Sequence, residues 1–179
     1  MKQGGYGKTL CGELIRLRAV EPEDLNFLYD FENDPSLWSV GAGAMPYSRN
    51  TLRRYIAQGA SDIYADGQMR LIIEDRASGQ QAGTIDLINY DVRHRRAELG
   101  IAVGAAFRNK GYGSEALDLL EDYVRNFLHL HQLYAYVGAE NKASRGLFVK
   151  CGYRLVAELP DWVVAPHGYE NVVLYQKIL

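Results

Sequence analysis

The sequence predicts an α+β fold with a mostly antiparallel central sheet of about seven strands and about four helices. Three observations predict it. Strand-like segments at 69–74, 81–90 and 96–103 follow one another with only turns between them, which is the pattern of an antiparallel meander. A strongly amphipathic helix at 115–128 leads into another strand at 132–138. Two last strand segments, 155–164 and 171–178, make a closing hairpin. A chain of 179 residues is long enough for one well-buried core and short for two, so 13–179 reads as a single domain after a polar, glycine-rich lead-in at 1–12.

In chain order, Leu14, Ile15 and Leu17 alternate with Arg16 and Arg18 as a first strand. Pro22-Glu23-Asp24 then marks a helix start, with proline in the first turn and acids favouring the N-terminal dipole. Leu25, Leu28 and Phe31 form its buried side, and Asn33-Asp34-Pro35 ends it. Residues 36–47 hold Trp38, glycines and Pro46 and read as a loop, either bordering a substrate or simply packing Trp38. Ser48 caps a second helix that runs to about Gln58. Arg76-Ala77-Ser78-Gly79 turns the first meander hairpin. Arg93-His94-Arg95-Arg96 tips the second and reads as solvated rather than as a nucleic-acid patch. In the long helix, Ala116, Leu117, Leu120, Tyr123, Val124 and Phe127 recur at three- and four-residue steps, with Glu115, Asp118, Glu121, Asp122 and Arg125 assigned to water. The last helix spans 141–151.

Bulk properties narrow the class. A net charge of −2 and a pI near 6.1 advertise no nucleic acid. Cys11 and Cys151 form no C-x-x-C and suit reduced thiols. The longest apolar run, 99–107, is far below the ~20 residues of a membrane span, and the first residues lack the apolar region of a signal peptide. The expectation is a cytoplasmic protein with no membrane partner. His94, His129, His131 and His167 form no ligand motif, so no metal is expected.

The chemistry concentrates at Arg108-Asn109-Lys110-Gly111-Tyr112-Gly113-Ser114, ahead of the long helix. Gly111 and Gly113 free the backbone to aim amides at a ligand, and the helix N-terminus carries about half a positive charge. That combination binds phosphate. No Walker A pattern occurs. Gly111 to Ala116 does satisfy G-x-G-x-x-A, which keeps a nicotinamide oxidoreductase as the rival from another class, but the apolar strand ends well before these glycines. The other reading is a pyrophosphate grip in which Arg108 and Lys110 add charge.

Here a resemblance enters. Arg108, Gly111 and Gly113 occupy the defining positions of Arg-x-x-Gly-x-Gly, which resembles the acetyl-CoA signature of the GNAT superfamily of N-acetyltransferases. Asn141-Lys-Ala-Ser144-Arg-Gly-Leu147-Phe148-Val-Lys150-Cys-Gly152-Tyr153 resembles that family's N-x-x-S-x-x-[LI]-[YF]-x-K-x-G-[FY]. Singly, the glycines could make a turn and Asn141 could cap a helix; the two motifs in order, one helix and one strand apart, carry the resemblance. It implies a GNAT-type sheet splayed between the strands at 96–103 and 132–138, and acetyl-CoA as cosubstrate in the split. It also implies pantetheine pairing with the backbone of Ile101, Ala102 and Val103, a hydrogen bond from Asn141, and outer contacts at Phe148 and Lys150.

Acetyl transfer to an amine needs a base, because a free alkyl amine is mostly protonated near neutral pH. Glu98 and Asp86 are the candidates: a hairpin pivoting on Val92 brings their carboxylates face to face, as a base or a cradle for a cation. A one-residue slip would send them to opposite faces. The family's usual tyrosine acid is Phe148 here. Tyr153, Cys151 or Tyr134 are substitutes, the thiolate can also leave unprotonated, and an acetyl-CoA sensor without turnover is the alternative. Glu32-Asn33-Asp34-Pro35 with nearby Trp38, the segment His94 to Glu98 and the closing hairpin resemble bacterial spermidine acetyltransferases and ribosomal-protein N-terminal acetyltransferases. Acids at Glu32, Asp34, Asp86 and Glu98 favour a small amine or polyamine as acceptor, whereas a protein N-terminus would need a groove near Trp38 and the Pro166-His167-Gly168 tip. For assembly, a homodimer is the default.

Overall fold

A computed structural model describes residues 10–38, 45–59, 62–165 and 168–179. The lead-in before residue 10, half of the Trp38 loop (39–44) and the tip residues Pro166 and His167 lie outside the described residues, as does the Trp38 side chain. Seven strands form one sheet: β1 (Ile15–Ala19), β2 (Met69–Asp75), β3 (Gln81–Asp91), β4 (Arg96–Val103), β5 (Gln132–Gly138), β6 (Arg154–Ala165) and β7 (Gly168–Ile178). Their order is β1-β2-β3-β4-β5-β7-β6. The helices of eight or more residues are α1 (Leu25–Glu32), α3 (Arg49–Gln58), α5 (Tyr112–Asn126) and α6 (Lys142–Lys150). Two single-turn helices, α2 (Pro35–Trp38) and α4 (Ile63–Asp66), fall where the sequence offers only loop chemistry. Asp62 caps α4 and Gly67, left-handed at φ 65°, closes it.

Neighbouring strands are antiparallel except β4 and β5, which run parallel because α5 carries the chain between them. That pair is short. Arg96, Ala97 and Glu98 meet Gln132, Leu133 and Tyr134, and there the strands part. β4 stays paired with β3 to Val103, and β5 with β7 to Gly138. This is the expected splay.

Period-2 alternation then sorts the side chains into two cores. Leu71, Ile73, Ile85, Leu87, Leu99, Leu133 and Ala135 face the apolar stripe of α5, where Leu117, Leu120 and Val124 are fully buried. On the other face, Leu28 of α1 and Leu52 of α3 close over Ile72. Of the three apolar residues assigned to the buried side of α1, only Leu28 is fully buried.

Two details differ from the sequence reading. Helix α5 starts at Tyr112, three residues early, because Gly111 in the left-handed region (φ 88°) already ends the turn. Glu121, assigned to water, is buried and paired with Lys177 of β7 at 2.5 Å; the Lys177 ammonium also donates to the Cys151 carbonyl at 2.6 Å. A cation contributed from the far end of the chain makes that burial tolerable.

Candidate active site

The donor side is built on the open edge of β4. Past Glu98, the edge of β4 that faced β5 has no strand partner among the described residues. The chain leaves β4 through a 3-10 turn, Ala105–Phe107, and Arg108 donates from Nε to the Val103 carbonyl at 2.9 Å, which fixes the turn's entry. Asn109 and Gly111 are both left-handed, at φ 60° and 88°. The chain therefore enters α5 abruptly, and the amides of Tyr112, Gly113 and Ser114 find no helical carbonyl. Lys110 stands beside them with its ammonium 5.5 Å from the Phe107 ring. Gly113 packs against α6: a Cβ there would come within 3.1 Å of Leu147.

Two side chains near this turn have structural duties. Tyr112 is 9% exposed and donates its hydroxyl to Asp75 at 2.8 Å, so it anchors the turn to β2. The Ser78 hydroxyl and then Tyr112 hold the Asp75 carboxyl below its ordinary range. Glu115, an acid in the first turn of α5, turns its carboxylate away to accept the amides of Glu13, Leu14 and Ile15. An anion approaching the helix end does not meet that charge.

The second motif sits beside the first. The Asn141 side chain caps α6 by accepting the Ser144 amide at 3.0 Å, and Lys150 is exposed at the helix end. Phe148 is buried between Tyr153, with ring centroids 5.0 Å apart, and Tyr175, at 5.8 Å. Tyr153 is buried with it. Burial, then the Glu121 charge, pushes its hydroxyl well above the ordinary tyrosine range. That side chain lies outside the cavity lining, so the expectation that it donates a proton to the departing thiolate meets no supporting geometry. Cys151 is half-buried, its thiol pushed up by burial.

A cavity of about 490 Å³ opens on the α1 and α3 face of the sheet. Phe31 of α1, Tyr55 of α3 and Tyr47, just ahead of α3, wall it on one side, and Glu98, Gly100 and Ala102 wall it from β4. The register corrects one expectation here. Asp86 lies opposite Gly100 and Ile88 opposite Glu98, so the hairpin pivots on Arg93 rather than Val92. A bulge between Ile88 and Asp91, with left-handed Asn89 and Arg95, lengthens the turn. The shift moves the partner by two residues, so Asp86 and Glu98 keep the same face but become diagonal neighbours, typically ~7–8 Å apart.

The two carboxylates also differ in company. Arg70, opposite Asp86, donates to both its oxygens at 2.7 and 2.9 Å and to Glu32 of α1 at 2.5 Å. Burial opposes the guanidinium's charge, but Asp86 and Glu32 hold its pKa above the ordinary arginine value. Glu98 accepts one hydrogen bond, from Asn89 at 2.8 Å. It occupies the last rung before β4 and β5 part, opposite Tyr134, where the open strand edge and the cavity meet. Tyr136, one step further along the same face of β5, lines the cavity and stacks on Trp162 at 6.5 Å. Burial, then Glu98, pushes the Tyr134 hydroxyl up.

Arg70, Tyr55 and Tyr136 were not singled out in the sequence. A signal existed for the first, a cation beside the apolar run Leu71-Ile72-Ile73 of β2. Among the described residues no group of three His, Cys, Asp or Glu side chains could hold a metal, and no helix is long and apolar enough to cross a membrane.

The profile of the acetyltransferase (GNAT) domain matches residues 15–154. The chain is 26% identical over 164 residues to the spermidine N(1)-acetyltransferase of Escherichia coli K12, covering 89% of this chain and 83% of that protein. Among solved structures it is similar to the spermidine N-acetyltransferase of Vibrio cholerae in complex with CoA and spermine, with TM-score 0.83, 25% identity, and 93% and 96% of the two chains covered. It is also similar to a dodecameric structure of the Vibrio cholerae enzyme, with TM-score 0.78, 26% identity, and coverage of 93% and 95%.

Proposed function

Because the chain belongs to the acetyltransferase (GNAT) family and is an acetyl-CoA-dependent N-acetyltransferase, we propose that its acceptor is the primary amine of a small amine or polyamine, which attacks the thioester directly. The observation that carries this reading is the position of Glu98, at the point where the open edge of β4 meets the aromatic and acidic cavity.

Each role follows from local chemistry. The first-turn amides of α5 and Lys110 bind the pyrophosphate, helped by Asn109, Ser114 and the dipole. Backbone groups of Ile101, Ala102 and Val103 pair with the pantetheine arm, and an amide there polarises the thioester carbonyl. The arriving ammonium gives its proton to Glu98, directly or through one water, and the neutral amine attacks. Asp86 is the weaker base candidate, since both its oxygens serve Arg70. It helps instead to hold the cation-binding wall. The tetrahedral intermediate collapses with the amine's second proton lost to solvent and CoA leaving as thiolate, which a thiol pKa near 8.5 allows without a tyrosine at 148. The proposal extends to assembly into a homo-oligomer, with the exposed Trp162, Val164 and Tyr169 of the closing hairpin as contact surface; light scattering on the purified protein measures it.

Free-thiol release from acetyl-CoA tests the function, comparing spermidine, butane-1,4-diamine and a peptide with a serine N-terminus against a no-acceptor blank. Release with either amine above the peptide is expected. Release with the peptide alone would move the acceptor to protein N-termini, and acetyl-CoA binding with no release in any arm would favour a sensor.

A further inference from the structure

The cavity's four charged residues are arranged unevenly, and Arg70 is the reason. Glu32, Asp86 and Glu98 are set against one guanidinium, a formal charge of −2 among the described lining residues. Two of the three carboxylates are engaged by Arg70, through a bidentate pair with Asp86 and a third bond to Glu32. The Arg70 side chain is three-quarters buried, and its guanidinium carbon lies 5.8 Å from the centre of the Tyr55 ring. Bidentate, charge-assisted bonds of this kind are the strong ones. A tethered partner also competes with a free one at high effective concentration.

We infer that Arg70 determines acceptor specificity, its guanidinium standing as a built-in cation in the carboxylate subsite that the remote ammonium groups of a polycation would otherwise fill. The inference rests on the amine-acceptor reading. The Glu32–Arg70–Asp86 triad keeps one net negative charge and so holds one remote ammonium, while Glu98 takes the reacting one. A dication matches the cavity, and a third charge on the acceptor gains nothing inside it. Remaining selectivity comes from the apolar body of the amine against Phe31, Tyr47 and Tyr136.

Calorimetric titration of the CoA-bound protein with butylamine, butane-1,4-diamine and spermidine tests this without requiring turnover. Wild type should bind the diamine about tenfold more tightly than the monoamine, the low end of a unit-charge interaction at contact distance, and spermidine no better than the diamine. In R70M both carboxylates lose their internal cation, and the spermidine-to-diamine affinity ratio should rise about tenfold with CoA affinity unchanged. E32Q, which leaves Arg70 bonded to Asp86, should erase the diamine's advantage over butylamine and serves if R70M does not fold. A wild-type preference for spermidine of tenfold or more, or ratios unmoved by both variants, overturns the inference. Thiol release absent with every amine that binds would overturn amine transfer itself, and the binding ratios still decide the role of Arg70.

Discussion

The two faces of the sheet hold together by different means. Behind it, α5 and α6 close one continuous apolar cluster from Ile15 to Tyr175. In front, α1 and α3 bury only Leu28 and Leu52 over Ile72. Partly buried side chains such as Val20, Phe27 and Ile56 pack around them, and ion pairs tie the strands and helices of that face together: Arg16 and Arg18 with Glu74, Arg18 with Asp24, and Arg70 with Glu32 and Asp86. The apolar face holds the edge of β4 and the glycine turn rigidly against α5. The ionic face leaves the acidic cavity that the proposed cationic acceptor would enter. In the proposed reading, donor recognition and acceptor recognition fall to opposite kinds of packing, an apolar back and an ion-paired front.

Four perturbations break or sharpen that contrast. Leu120→Ala opens a cavity in the fully buried back cluster and should cost roughly 3–5 kcal/mol, read by urea denaturation, while the KM of the amine stays near wild type in the folded fraction. A large change in amine KM would mean that the two faces are coupled. Glu98→Gln acts at their meeting point, and kcat should fall about a hundredfold or more with the acetyl-CoA KM held; steady-state kinetics across pH would refute the base assignment by showing full turnover. Tyr112→Phe removes the hydroxyl that ties the glycine turn to Asp75, which should cost ~1–2 kcal/mol and raise the acetyl-CoA KM a few-fold without touching the amine KM.

The smallest effect separates the faces by pH. Burial alone would raise the Asp24 carboxyl, but hydrogen bonds from Arg18, the Glu21 amide and Gln81 bring it below its ordinary value. Glu74 is likewise lowered, against burial, by Arg16 and Arg18. A carboxylate with a depressed folded pKa contributes stability above its unfolded value, near pH 4, and loses it as pH falls through the folded value. Acid unfolding followed by circular dichroism should therefore steepen below about pH 4, and Arg18→Met should flatten that limb, whereas Leu120→Ala should lower the whole curve evenly.

The same contrast explains what could be read in the sequence. The back face was legible because its cues are local: the 3.6-residue repeat of α5, the period-2 strands, and two motifs whose residues lie within a few positions of one another. Even there Gly111 moved the helix start, since a left-handed residue ends a turn without changing the apolar pattern. The front face depends on partners distant in sequence. Arg70 finds Glu32 across 38 positions; the back face has such a case too, Glu121 of α5, whose burial is offset by Lys177 from the last strand. Periodicity carries no information about either pair. The Asp86 and Glu98 register failed for an intermediate reason, a bulge whose left-handed Asn89 and Arg95 leave no glycine to announce it.

The parting of β4 and β5 has one more consequence. Among the described residues three rungs join the leaf of β1 to β4 with the leaf of β5 to β7, and each leaf keeps its own ladder beyond them. The sheet therefore divides beside Glu98, the proposed base. A chain cut in the connection after Val103 would separate two ladders whose shared apolar cluster, covered by α5, is complete only once the pieces rejoin. Reconstituted acetyl transfer would then report the meeting of the two fragments.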